Sequence, residues 1–500
     1  MNSAEKKDLL EIITGIAPGE GTAEQESNDE QEFMKNFMPI PDHRRALDPN
    51  MLLVLGGRGA GKTQLFRLLS FENAREALAI HQDRNHSLRF LDQASWVPGY
   101  GRPQQQGKMY PSPESVEEFS KTADVIDWRA FWMGLLIGML LRQNDESIPE
   151  ELLGLISVNV REVLTKELSR LKSWHPIVKA EFEDLNFFLD KLDDEMVKVD
   201  HWLFMTYDEL DKLTVTHARL AAPIRELLAF WLDRWRRWER IRPKIFLRTD
   251  LFGAEFLGFP DASKLQPHLI RLEWQTPWLY QLLMKRLANA GQELLAYLNE
   301  IPGLIVGQKP NLGYIPGTDE KLYQELMKKM VGHFMGKDAK KGITYRWIPN
   351  HLQDANNRIS PRSFLKMFAL AAKQELERFD EKQLPENRLL QPTHLQGALM
   401  ETSEARIREL AVEEYPWLND LKPNFEGIEV PAPKAILLQA IRNTTWVQEE
   451  KKPASNPEDI LKYLLKLGIL ESRTDGRLNM PDIYLYGFKM KRRGGIRRPK

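Results

Sequence analysis

The stretch that most restricts what this 500-residue chain can become is Met51-Leu52-Leu53-Val54-Leu55, followed at once by Gly56-Gly57-Arg58-Gly59-Ala60-Gly61-Lys62-Thr63. The apolar run reads as a buried strand that the two glycines break sharply. The eight residues after it match G-x-x-x-x-G-K-[ST] in full, and residues 64–69 continue as a helix. Strand, loop and helix in this order aim successive backbone N–H groups and the positive end of a helix dipole at one point, which suits an anion. Lys62 is expected to reach the β and γ phosphates of a nucleotide, and Thr63 to place its hydroxyl on Mg2+. The expected nucleotide-binding residues are Gly56, Gly57, Arg58, Gly59, Ala60, Gly61, Lys62, Thr63 and Gln64. An accidental glycine-rich turn is the alternative, and it leaves the flanking strand and helix unexplained.

Two more apolar runs end in polar residues. The run 202–207 delivers Asp208 and Glu209 at its C-terminal end, where ligands of open α/β sheets bind. Asp208 is placed to hold Mg2+, through water. Glu209 is placed to orient or deprotonate an attacking water, since a glutamate of ordinary pKa is ionised at pH 7. The alternative is that the pair caps the next helix. The third run, 244–247, ends in Arg248-Thr249-Asp250. Between the two, Ile224, Leu227, Leu228, Trp231, Trp235 and Trp238 fall on one helical face, so strand, helix and strand alternate as in an α/β fold.

With Asp211 and Lys212, the second run extends to Asp-Glu-Leu-Asp-Lys-Leu. Loop and acids together resemble the AAA+ and STAND ATPases, especially the initiator-like branch, whose second motif is a hydrophobic strand followed by D-E-x-D. The resemblance covers about residues 45–375 and extends in outline to 500. It implies ATP and Mg2+ as ligands. It also implies a sensor of the γ-phosphate at Arg248 or Thr249, and a second sensor at Arg362, in the run Arg358-Ile359-Ser360-Pro361-Arg362-Ser363-Phe364, reaching from a lid domain. For Arg248 the alternative is a structural pair with Asp250 or Asp208, and for Arg362 a surface arginine. Lys62 and Asp208 lie 146 positions apart, more than such a core needs, so a helical insertion is expected within about 80–200. Arg234, Arg236, Arg237, Arg240 and Arg242 crowd a helix C-terminus, where cations are favourable without further cause, and no arginine finger is assigned.

The expected fold is an α/β P-loop NTPase core with a helical insertion, an all-α lid and a C-terminal winged-helix-like domain. Residues 18–32 are acidic and free of aromatics, so 1–32 reads as a flexible leader, with order beginning near Phe33. The core is expected over 33–270, with a turn-rich loop at 97–103. The lid follows over 271–400, where Thr276-Pro277 and Ser360-Pro361 read as helix starts and 276–375 as helices throughout. Over 401–486, a helix at 460–467 is stopped by Gly468, and strand-like runs 469–473 and 478–485 flank Thr474-Asp475-Gly476-Arg477, a hairpin signal.

The net charge of −1 conceals a segregation: 487–500 carry seven Lys/Arg and no acid, leaving −8 for 1–486. This basic tail, with Arg473 and Arg477 on the wing, offers phosphate contacts to DNA or RNA, and a protein partner fits as well. The helix ahead of the wing presents only Lys462 and Lys466, so little base selectivity is expected. Absence of cysteine excludes disulfides, thiolate metal sites and cysteine nucleophiles. The histidines show no H-E-x-x-H, and the tryptophans fall at core spacing. The longest apolar run, 131–141, is short of the roughly 18–20 residues that span a bilayer, so no membrane association and a cytoplasmic location are expected. The expected activity is an Mg2+-dependent ATPase coupling ATP binding and hydrolysis to conformational change or homo-oligomer assembly, with a separate effector chain. The resemblance points to prokaryotic defence or DNA transactions. A slow-hydrolysing, nucleotide-gated DNA-binding or protein-interaction regulator or scaffold is the alternative.

Overall fold

The computed structural model describes residues 2–17, 29–71, 78, 93–101, 108–143, 148–216, 219–253, 260–378, 387–447 and 452–494. The chain divides into two compact units: Ser27–Met34 with Pro39–Leu272, and Met1–Glu26 with Lys35–Met38 and Glu273–Lys500.

The first unit is built on a five-stranded sheet of β1 (Leu53–Gly56), β2 (Ala94–Tyr100), β3 (Trp202–Tyr207), β4 (Ile241–Arg248) and β5 (Leu269–Leu272). Its order is β2-β3-β4-β1-β5, with every pairing parallel. Strands β1, β3 and β4 are buried along nearly their whole length, which is why they read as continuous apolar runs without alternation. Because β4 separates β1 from β3, the C-terminal ends of all three lie side by side. Gly56 pairs with Arg248, and Tyr207 with Ile245.

The loop expected at 97–103 is, up to Tyr100, the edge strand β2. Pro98 lacks an N–H, which an edge strand tolerates, and the register shifts between Pro98 and Tyr100 as in a bulge. Gly99 is required by packing, since a Cβ there would stand 2.6 Å from the Tyr207 ring. The turn-like composition therefore reflects an edge and a close approach. The helices of the expected insertion occupy 113–198, after β2. Their centre is the Val125–Gln143 helix, whose Trp128, Phe131 and Trp132 are buried, with Trp174 against Gly134 and Leu168 against Gly138.

The arginine cluster fastens the turn into β4. Asp193 accepts hydrogen bonds from the backbone N–H groups of Glu239, Arg240 and Ile241 at 2.7, 2.8 and 2.9 Å. Around it Arg237 forks onto Asp190, Arg240 pairs with Asp200, Arg234 stacks 3.6 Å over the Phe230 ring, and Arg242 donates to the carbonyls of Trp238 and Ile241.

The second unit is helical apart from short strands. The hairpin of β6 (Ile305–Lys309) and β7 (Gly313–Pro316) interrupts the region expected to be helical throughout. Buried Lys285 donates to the carbonyls of Leu312 and Tyr314, and Asn289 exchanges hydrogen bonds with Tyr314. These bonds hold the hairpin to the Thr276–Ala290 helix. Thr276 is that helix's first residue, with Gln275 at the cap.

Part of the expected flexible leader is also ordered. Ser3–Thr14 is a helix closed by an Asn2–Glu5 capping box, with Leu9, Leu10 and Ile13 in the core of this unit. Its Lys6 is buried and donates to Glu375 at 2.7 Å. Residues 18–28 lie outside the described residues.

Towards the C-terminus come the Leu418–Phe425 helix, β8 (Glu429–Val430), the Lys434–Arg442 and Pro457–Lys466 helices, and the hairpin of β9 (Glu471–Ser472) with β10 (Leu478–Asn479). Ala432 bridges to Leu478, so the hairpin continues onto the chain beside β8. This is the winged-helix arrangement. The strand expected over 478–485 ends at Asn479, because Pro481 opens the Asp482–Leu485 helix. The basic tail begins within the fold: β11 (Lys491–Arg492) pairs with β8, and Arg492 donates to Asp482 at 2.6 and 3.1 Å. Residues 495–500 lie outside the described residues. No helix among the described residues is long and apolar enough to cross a membrane.

Candidate nucleotide site

At the end of β1 the chain turns through Gly59 (φ 72°) and Gly61 (φ 94°), left-handed conformations that glycine adopts without steric cost. Gly61 is the cap of the Lys62–Leu69 helix. At Gly56 a Cβ would stand 3.1 Å from that of Ala60 and 3.2 Å from Lys62 Cγ, so a side chain here would crowd the loop. Lys62 folds back over the loop, donating to the carbonyls of Gly56 at 3.0 Å and Gly57 at 3.1 Å.

Asp208 follows β3, its backbone N–H bonded to the Tyr100 carbonyl at 2.9 Å, so that β2 anchors the acid. Its side chain is hydrogen-bonded to the Thr63 hydroxyl, and the residue is 3% exposed. Burial pushes the Asp208 carboxyl up to about 6, against the opposing pull of the Lys62 charge and the Thr63 bond. Oδ2 of Asp208 is buried and has no hydrogen-bond partner among the described residues. A buried acceptor left open beside a phosphate-type loop fits a cation or a hydrogen-bonding ligand.

Glu209 has left-handed backbone at φ 55°, ψ 27°, a strain of about 1–3 kcal/mol for a non-glycine residue. It opens the short 3-10 turn Leu210–Lys212, which brings Lys212 Nζ onto its carboxylate. Asp211, in the same turn, accepts from Arg248 Nη1 at 3.3 Å. Arg248 also forks onto Asp250, Nε to Oδ1 at 3.1 Å and Nη2 to Oδ2 at 2.7 Å. Among the described residues Arg248 pairs with Asp250 and Asp211 and not with Asp208. Asp250 was offered by the sequence as a partner of Arg248, whereas Asp211 and Lys212 were read only as part of the motif and given no role at the site. Their signal was the spacing of Asp208-Glu209-Leu210-Asp211-Lys212, which a tight turn folds back on itself.

Lys62, Thr63, Asp208, Glu209 and Arg248 therefore gather at the C-terminal ends of β1, β3 and β4. Arg362 belongs to the other unit. In the first turn of the Pro361–Glu377 helix its side chain is 16% exposed and lies 3.9 Å from Glu409, an acid shared with Arg406 at 3.8 Å. Among the described residues no cluster of three or more histidines and acids could cage a metal. The donor set present, one threonine hydroxyl and one carboxylate with an open oxygen, suits Mg2+ held chiefly by phosphate and water.

No protein-family model and no curated protein matches the chain. Among solved structures, a Walker-type ATPase of Pyrococcus abyssi is 12% identical with a TM-score of 0.38, over 91% of this chain and 96% of its own. The ORC2 protein of Aeropyrum pernix, in ADPNP–ADP complexes, is 13% identical with a TM-score of 0.41, over 92% and 97%. Cdc6p from Pyrobaculum aerophilum is 14% identical with a TM-score of 0.24, over 88% and 86%. At such identities and scores the likeness adds nothing to what the chain's own geometry shows.

The core has the α/β P-loop fold. That follows from the parallel sheet, the glycine loop between β1 and its helix, and the acid pair ending β3 one strand away. In this P-loop core the one intervening strand, β4, carries Arg248 between the two motifs.

Proposed function

We propose that the chain is an Mg2+-dependent ATPase. The observation that carries this reading is buried Asp208 bonded to half-buried Thr63 at the mouth of the phosphate loop, with an open carboxylate oxygen and Lys62 beside it. Lys62 moves from the carbonyls of Gly56 and Gly57 onto the β and γ phosphates, and the loop N–H groups of residues 57–64 cradle them. Thr63 and Asp208 would hold Mg2+, which when bound neutralises charge on the phosphates. Glu209 orients the attacking water and takes its proton. Arg248 stabilises charge on the transferred group once it exchanges Asp250 or Asp211 for phosphate. Arg362, as a second sensor, couples hydrolysis to movement of the 271–400 lid and of the 401–486 winged-helix module, and so to assembly or an effector chain. A DNA-transaction or defence setting belongs to the same proposal.

A specific observation favours a slow basal rate: Glu209 is engaged by Lys212, and Arg248 by two acids. Hydrolysis then awaits a partner that rearranges the turn, and nucleotide binding itself carries the signal. Substitutions separate the steps. Lys62→Ala is expected to abolish ATP binding, whereas Glu209→Gln is expected to bind ATP and to lose turnover. A Glu209→Gln protein that hydrolyses ATP at the normal rate removes the base assignment. Single-turnover rates with and without nucleic acid distinguish a constitutive ATPase from a gated one.

A further inference from the structure

The second unit carries an ordered cationic loop that the charge pattern of the chain does not single out. Between the Glu320–Met330 and Thr344–Leu352 helices, Phe334 and Ile343 form an antiparallel bridge. Met335 N–H donates to the Gly342 carbonyl at 2.9 Å, Thr344 N–H to His333 at 3.0 Å, and the Thr344 hydroxyl to Gly332 at 2.7 Å. At the tip, Asp338 caps the 3-10 turn Ala339–Lys341, and Gly342 turns the chain back at φ 93°. The loop is therefore closed at its base and capped at its tip. From it Lys337, Lys340 and Lys341 face solvent, with Arg346 exposed just beyond the bridge. None of the four is in an ion pair among the described residues, and Asp338 is the one acid between His333 and Arg346.

The winged-helix module contrasts with this. There Arg442 faces Glu458, Lys462 faces Asp459, Arg477 faces Asp475, Lys489 faces Glu426 and Arg492 faces Asp482. Those five cations are each held against an acid, whereas the lysines of the loop are not.

We propose that the 334–343 loop is a docking surface for the phosphate backbone of duplex nucleic acid, engaged by Lys337, Lys340 and Lys341. Three lysines on a rigid loop present point charges that neutralise phosphates at no ordering cost to the backbone. The tip residues 336–342 are Gly-Lys-Asp-Ala-Lys-Lys-Gly, with no aromatic on which a single-stranded base could stack and no large apolar side chain to enter a lipid headgroup layer. Binding is accordingly insensitive to sequence and strongly dependent on salt. The surface lies in a different unit from the nucleotide site and does not depend on the ATPase reading.

The test uses the full chain and two unrelated labelled duplexes of about 30 base pairs, with affinity measured from about 50 to about 200 mM salt. The triple variant K337A/K340A/K341A is expected to lose at least tenfold in affinity on both duplexes. Its dependence of log K on log salt should flatten by about 2–3, since each phosphate contact contributes about 0.9. Asp338→Asn retains a capping oxygen while removing the loop's acid, and is expected to tighten binding several-fold. K462A/K466A is expected to change little. Unchanged slope in the triple variant, no duplex binding at about 50 mM salt, or preferential lysine-dependent binding to single strands or anionic vesicles each overturns the proposal. A normal melting temperature and an unchanged nucleic-acid-free ATPase rate in the triple variant separate loss of docking from loss of fold. Retained duplex affinity in Lys62→Ala separates it from failure of the ATPase reading.

Discussion

At the scale of single residues, the proposed hydrolysis turns on what Glu209 touches. Its carboxylate is buried at the end of β3 and held by Lys212, whose side chain is 44% exposed. An ammonium on the carboxylate competes with water for the same oxygens. Lys212→Met is therefore expected to raise single-turnover hydrolysis several-fold with little change in ATP affinity, and the gain should vanish in the Lys212→Met/Glu209→Gln double variant. Because the lysine is partly solvated, the stability lost is only about 1 kcal/mol. A fall in rate at unchanged ATP affinity would instead make Lys212 a support for the strained backbone of Glu209. Asp211, which accepts from Arg248 at the end of β4, sits on the same small turn as Lys212, so a ligand that draws Arg248 towards phosphate also disturbs the Glu209–Lys212 pair. The proposed base and sensor are thereby linked through the Leu210–Lys212 turn.

At the scale of elements, β4 shows how an apolar strand absorbs a cation. Lys244 is fully buried, donates to the carbonyls of Asp48 and Met51, and lies 5.2 Å from the centre of the Phe204 ring. Burial pushes its ammonium down to about 7. Between that value and the unfolded pKa near 10.4, the unfolded chain binds more protons than the folded one, so stability rises with pH through this window. Wild type should gain about 2 kcal/mol relative to Lys244→Met between roughly pH 7 and 9, measured as the difference in denaturant midpoints at each pH. A constant difference would show that Lys244 titrates near its ordinary value. The same strand explains what was legible in the sequence. β1, β3 and β4 are covered on both faces and so read as unbroken apolar runs, which placed Lys62, Thr63, Asp208 and Glu209 correctly relative to strand ends. β2 was illegible because an edge strand admits Pro98, and because Gly99 is dictated by a ring on the neighbouring strand. The hairpin of β6 and β7 was hidden for a related reason: its hold on the fold comes from Lys285 and Asn289, polar residues whose partner Tyr314 lies 29 and 25 positions on.

At the scale of the whole molecule, the P-loop unit is inserted within the sequence of the other unit, which starts with the Ser3–Thr14 helix and resumes at Glu273. What ties the N-terminal helix to the later chain is a contact no local pattern could reveal. Lys6 meets Glu375 across 369 positions, and the same carboxylate receives His394 Nδ1 and, at 3.1 Å, the Gln391 N–H. A buried charge retained by several donors is costly to strip of one partner, about 3–5 kcal/mol for a well-buried pair. Lys6→Met should therefore destabilise the second unit by that order, while Lys6→Met/Glu375→Gln, which also removes the orphaned negative charge, should recover part of the loss. Hydrogen exchange locates the effect. Protection is expected to fall in Ser3–Thr14, Pro361–Glu377 and Pro392–Glu413 and to remain in β1, β3 and β4, because the two units have separate hydrophobic cores. If protection instead falls equally in all of these elements, the two cores unfold as one cooperative body, and the N-terminal helix stabilises the nucleotide core as well as its own unit.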